Sequence, residues 1–253
     1  MKDTRISMGM PITVEIVDPA KAEDLEEVFE YFNEVDQRFS TYKERSEIMQ
    51  INRGEIAEHE YSPEMNEVFA LAEKTKKETS GYFDMVGPGG QRDPSGIVKG
   101  WAIRNAANYL VAKKYKNFFV DAGGDIQSRG VSADGTPWSV GIRNPFNREQ
   151  IVKVVYPNGA GIATSGSYIR GHHIYNPLVH EDKLGDVVSL TVIAPDVLEA
   201  DRLATAAFAM GTRGIHFIES HPACEGYSID AKGIATMTSG FEQYMLAQAT
   251  PSV

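Results

Sequence analysis

Asp201 and Thr205 stand four apart in EADRLATAAF, so on a helix both side chains leave the same face. One carboxylate and one hydroxyl suit Mg²⁺, which takes oxygen ligands and keeps its remaining positions for water or phosphate. The same spacing also describes a surface Asp beside a helix-facing Thr. A second group is DPSGIVKG, residues 93–100, a turn-forming stretch that leads into a helix. The backbone N–H groups and positive dipole end of such a helix suit an anion, and Lys99 adds a point charge. A plain helix cap reads the same way. The stretch lacks the GxxxxGK[ST] spacing of a phosphate loop.

DAGGDI, residues 121–126, follows a hydrophobic strand, and its paired glycines allow a close backbone approach or simply a bulge or turn. With no GxGxxG in the chain, a Rossmann nucleotide site is not supported. The stretch GIATSGSYIRGHHIYNP, residues 161–177, gathers glycines, hydroxyls and the adjacent His172 and His173. No HExxH and no third clustered ligand accompanies them, so general acid–base work near neutral pH suits the pair better than zinc. For His172 the expectation is a buried ring satisfied by backbone.

Elements must carry these groups. MPITVEIVD alternates apolar and polar residues and is expected to be the first strand. Leu25, Val28, Phe29, Phe32, Val35 and Phe39 recur at helical spacing among acidic residues, which makes an amphipathic helix over a sheet. FSTYKERSEIMQINRGE reads as a polar loop running into a short helix, and another helix is expected from Ser62-Pro63 to about Ser80-Gly81. GYFDMVGPGGQRDPSG reads as an irregular connection, and a helix over about 97–114 follows. NFFVDAGG, WSVGIRN, IVKVVYPNG, GIATSG and VVSLTVIAP read as strands, DVLEADRLATAAFAMG as a helix, and RGIHFIESHP as a short one. GYSIDAKGIATMT closes the pattern as a hairpin. Interspersed helices with runs of successive strands favour an α+β fold.

Composition narrows the function classes. A formal net charge of −10 removes the basic footprint of a nucleic-acid binder. A lone cysteine, Cys224, excludes an internal disulfide framework and a Cys-rich zinc site. No apolar run approaches the ~20 residues of a membrane span, and the N-terminal stretch carries no signal-like apolar segment. A cytoplasmic protein is expected.

Taken together the motifs resemble the FAD:protein FMN transferase, or ApbE-like, family. They are Met8-Gly9-Met10-Pro11, DQRFSTYKERSEI, GYFD, DPSGIVKGWAI, DAGGDI, ATSGSYIRGHHIYNP and ADRLATAAFAMG, in that order. The resemblance implies a single α+β domain over residues 1–253: two interlocked lobes of mixed or antiparallel sheet with packed helices, and a ligand cleft between them. It implies a Mg²⁺-dependent enzyme that moves FMN from FAD onto a Ser or Thr hydroxyl of a partner protein and releases AMP. Asp201, Thr205 and the main-chain carbonyl of Gly96 would hold the metal. FAD contacts would fall on Met8, Tyr42, Tyr82, Phe83, Asp84, Asp93 and Lys99, with Tyr175 through its backbone, and His173 would move the proton. Four departures accompany the match: no signal or lipobox is seen where many relatives are exported lipoproteins, the connection between Asp84 and Asp93 is short, Asn176 stands in HIYNP where the family has Asp, and Ala204 stands where some members place an acid. Two alternatives follow, a FAD hydrolase with the same site and a protein that binds FAD without turnover. Oligomeric state is not implied, and a homodimer stays open.

Overall fold

The computed structural model describes residues 1–166, 177–178 and 186–246. Its centre is an eight-stranded sheet, antiparallel at every pairing. In chain order its strands are β1 (Lys2–Ser7), β2 (Met10–Ile16), β3 (Phe118–Ala122), β4 (Asp125–Arg129), β7 (Gly161–Gly166), β8 (Val187–Ala194), β9 (Glu225–Asp230) and β10 (Ala235–Met237), and they lie side by side in the same order. Between β4 and β7 the chain makes a separate two-stranded ribbon, β5 (Val140–Asn144) with β6 (Asn147–Val155).

Strand period decides what covers each face. Ile12, Val14 and Ile16 of β2, with Phe118 and Val120 of β3, point to the helical side. There they meet α1 (Ala22–Phe39) and α4 (Ser95–Ala112). The helix Val197–Ala209, here α5, lays Ala200, Leu203, Ala207 and Phe208 on Ala163, Leu190 and Val192 of the same face. The opposite face presents Ile126, Ile162, Ile193 and Ile229, and the β5–β6 ribbon covers it with Val140, Ile142 and Val155. The remaining helices are α2 (Glu47–Asn52), α3 (Pro63–Glu78) and α6 (Gly214–Glu219).

Helix starts follow side-chain chemistry. Ser62 Oγ accepts the Met65 N–H at 3.1 Å, and Pro63 fills the first helical position, as the sequence suggested. Asp196 Oδ1 accepts the Glu199 N–H at 2.9 Å and opens α5. The six apolar positions of α1 expected to face the sheet are all buried.

Two strands escape the sequence pattern. β1 precedes the strand expected to be first; as a sheet edge it pairs on one side, and with Lys2, Asp3, Thr4 and Arg5 among its six residues its apolar signal is weak. β4 is short and polar, DIQSR, and follows β3 through Gly123 and Gly124, both at positive φ (64° and 99°). DAGGDI is therefore a hairpin turn between two strands. Among the described residues no helix is long and apolar enough to cross a membrane.

Candidate active site

The N-terminus of α4, the middle of α5 and the ends of the β3–β4 and β7 strands converge on a cavity of about 370 Å³ on the helical side of the sheet. Asp201, Thr205, Gly96 and Lys99 share its wall with Tyr82, Phe83, Asp84 and Asp93. Eight of the expected site residues are thus brought together. Met8 and Tyr42 are not among the lining residues; Met8 packs against the helical-side core and Tyr42 is almost fully exposed. His173 and Tyr175, like His172 and Asn176, lie outside the described residues.

Glycines set the spacing of the wall. A Cβ on Gly100 would stand 2.7 Å from the Asp201 Cβ and 2.9 Å from the Val197 carbonyl, so α4 and α5 touch through backbone. A Cβ on Gly161 would lie 2.0 Å from the Val197 nitrogen, which seats the start of α5 directly on β7. The contact at Gly100 lets its N–H donate to Asp201 Oδ2 at 2.8 Å. In a regular helix that N–H points at the Gly96 carbonyl, so Asp201 shares the donor with the Gly96 oxygen. Gly96 also lies against Phe83 and the Thr205 methyl: a Cβ there would stand 2.9 Å and 3.4 Å from them.

The electrostatics centre on three buried groups. Lys99 Nζ stands 2.5 Å from Asp125 Oδ2 and 3.3 Å from Asp201 Oδ1. Asp125 is 1% and Asp201 3% exposed, so one ammonium faces two dehydrated carboxylates and leaves one negative charge unmatched. Burial is the largest influence on Asp201 and pushes its carboxyl well above the usual range, against the Lys99 ammonium; the nearby Asp125 charge pushes the same way. Oxygen donors with a surplus negative charge fit a hard divalent cation: the Asp201 carboxylate, the Thr205 hydroxyl one turn along, and the Gly96 carbonyl. Among the described residues no group of three or more His, Cys, Asp or Glu gathers, so a cation there would draw on hydroxyl, carbonyl and ligand oxygens as well.

Asp125 is a site residue that motif reading passed over. It sits inside DAGGDI, but its partner Lys99 comes from another element, and nothing in local spacing links them. The short 84–93 connection is also more ordered than its composition suggested. The Gly87 N–H donates to the Gln91 carbonyl at 2.9 Å, and the Asp93 N–H to the Met85 carbonyl at 2.8 Å. Asn52 of α2 clamps it by accepting the Arg92 N–H at 2.8 Å and donating to the Arg92 carbonyl at 2.9 Å. Gly87, Pro88 and Gly89 of this turn line the cavity. Asp84 is held by Lys76 at 2.7 Å, and Tyr82 Oη accepts from Arg213. Asp93 Oδ1 accepts the Ser95 N–H at 3.0 Å at the start of α4. Ala204, the position where the resemblance allows an acid, is buried in the α5–sheet core.

A model of the ApbE family matches residues 8–91 and 85–228. Among curated proteins, an FAD:protein FMN transferase of Vibrio cholerae is 31% identical over 169 residues, 63% of this chain and 49% of that protein. One of Salmonella typhimurium is 32% identical over 165 residues, 62% of this chain and 46% of that protein. The aligned part of the chain thus spans about half the length of the curated relatives it matches. Among solved structures, flavin transferase ApbE from Vibrio cholerae superposes with a TM-score of 0.85 at 23% identity, over 96% of this chain and 98% of that one. The ApbE protein from Thermotoga maritima gives a TM-score of 0.84 at 21% identity, over 97% and 99%. Both structural likenesses show the shared α+β fold. With the family match running from residue 8 to residue 228, the chain belongs to the ApbE family.

Proposed function

We propose that the protein transfers FMN from FAD to a Ser or Thr hydroxyl of a partner protein, with Mg²⁺ as cofactor and AMP as the other product. The observation that carries this reading is the convergence of Asp201, Thr205, Gly96 and Lys99 on one cavity, beside Tyr82 and Phe83. The relatives' names supply the substrate class, and the wall supplies chemistry suited to a pyrophosphate.

Asp201, Thr205 and the Gly96 carbonyl would hold the metal, whose charge would neutralise and polarise the phosphate oxygens. Lys99, which lines the cavity, and the positive end of the α4 dipole face the remaining negative charge. Tyr82 and Phe83 offer aromatic surface beside the phosphates, and Phe83, 4% exposed, is fixed against Gly96. The acceptor hydroxyl oxygen attacks the phosphorus on the FMN side. The bond to the bridging oxygen breaks, and AMP leaves with that electron pair. The hydroxyl proton passes to a base, the role the family resemblance gives to His173. Little covalent help is needed for such a transfer, since positioning and charge stabilisation supply most of the rate. His173→Ala is expected to slow turnover by ~10²–10⁴-fold while FAD still binds.

The test is incubation with FAD, Mg²⁺ and a Ser/Thr-containing acceptor peptide, followed by chromatography and mass spectrometry. Covalent flavin on the peptide with matching AMP, abolished by EDTA, is expected. Free FMN and AMP without modified peptide would replace the transferase by a hydrolase that uses water as acceptor. Intact bound FAD in every tube would leave a binding protein.

A further inference from the structure

We propose that Asp125 is the positioning residue for Lys99, holding the ammonium over the cavity where a pyrophosphate is bound; this rests on the flavin-transfer reading above. Asp125 opens β4 immediately after the Gly123-Gly124 turn and is 1% exposed. Its Oδ1 accepts the Thr164 N–H of β7 at 3.0 Å, which fixes the plane of the carboxylate. Its Oδ2 accepts no aligned hydrogen bond and stands 2.5 Å from Lys99 Nζ, a contact that is ionic in kind. One oxygen is thus anchored to the sheet and the other is presented to the ammonium. A carboxylate this deep is costly to bury without a charged partner, and the contact with Lys99 supplies one. Lys99 and Thr164 both line the cavity, whereas Asp125 lies behind them and touches no ligand space.

Asp201 does not make Asp125 redundant. Its nearest oxygen is 3.3 Å from Lys99 Nζ, and its carboxylate is the one placed to hold a cation. An ammonium tethered to Asp201 alone would be repelled once that carboxylate carried a divalent ion, and its long flexible stem would let it swing away. Asp125, absent from the cavity lining, gives Lys99 a second carboxylate partner set back from the wall. The two acids of the cluster therefore divide the work, Asp201 for the metal and Asp125 for the lysine.

A double-mutant cycle tests this, with Asp125→Asn, Lys99→Met and the pair, titrating FAD, ADP and riboflavin in EDTA and in Mg²⁺, with melting temperatures recorded alongside. Asparagine keeps the shape and the Thr164 acceptor but removes the charge. Asp125→Asn is expected to weaken FAD and ADP about tenfold, to leave riboflavin unchanged, and to add nothing in the Lys99→Met background. An equal further loss in the Lys99→Met background would overturn the proposal. So would a loss shared by riboflavin, or a raised Mg²⁺ requirement with FAD binding in EDTA intact; the last would make Asp125 a metal ligand. If Asp125→Asn does not fold, Asp125→Ser carries the same cycle. Wild-type protein that binds neither FAD nor ADP would sink the flavin reading and this proposal with it. Normal wild-type binding without coupling would sink this proposal alone.

Discussion

Asp201 owes its place to a glycine. The Gly100 N–H that caps its carboxylate is available because no side chain separates α4 from α5, and a Cβ at 100 would collide with Asp201 and with the Val197 carbonyl at 2.7 and 2.9 Å. Gly100→Ala must therefore push the helices apart, an overpacking of about 1–3 kcal/mol. The expected outcome is a lowered melting temperature together with at least a tenfold loss of metal-supported turnover, read by thermal unfolding and AMP release. An alanine variant with unchanged turnover would show that the α4–α5 distance does not set the site. At this scale the sequence was partly legible. Asp201 and Thr205 are readable because helical spacing puts them on one face, Lys99 because it follows a turn-forming stretch at a helix start, and Gly96 because the family motif carries it. Asp125 is not readable, because its partner Lys99 is brought to it by the fold and by no local pattern.

Elements hold the site through their joints. Where β2 ends and β3 begins, Asp18 accepts the Lys116 N–H at 2.6 Å, the Asn117 N–H at 2.8 Å and the Asn117 Nδ2–H at 2.8 Å. Burial raises the Asp18 carboxyl, but these donors outweigh it and hold the group below its ordinary value. A depressed carboxyl stabilises the fold above its unfolded pKa, near ~3.9, and that contribution is lost as pH falls through the lower folded value. Asp18→Ala is expected to cost on the order of 1–3 kcal/mol at neutral pH, or roughly 2–4 °C of melting temperature per kcal/mol. The gap from wild type should narrow as the pH is taken below about 4. A gap that stays constant down to pH 2 would show that the carboxylate charge is not what the joint uses. Helices of this fold are legible from apolar period or from a cap, α1 from the first and α3 from its Ser62-Pro63 start. β1 and β4 are not, since an edge strand and a short polar strand after two glycines carry almost no alternating apolar signal.

The whole molecule explains why the cavity exists at all. Its walls come from residues 82–99, 123, 164–166, 177 and 201–205, segments scattered through the chain that meet because one continuous sheet carries them. The helical face supplies α4 and α5, and the β5–β6 ribbon closes the other face without reaching the walls. Neither the strand order nor the insertion of the ribbon between β4 and β7 follows from periodicity, because pairing across the sheet is decided by tertiary packing. The α+β class was legible, since helices and runs of strands alternate irregularly along the chain. The central claim is that this one cavity, with a metal at Asp201, splits FAD. AMP release from FAD by the wild type and by the isosteric Asp201→Asn, each with Mg²⁺ and with EDTA, tests it most directly. We expect release by the wild type that stops with EDTA and returns with Mg²⁺, and a loss of about two orders of magnitude or more in the variant. Asp201→Asn turning over FAD like the wild type, or release indifferent to EDTA, would contradict it.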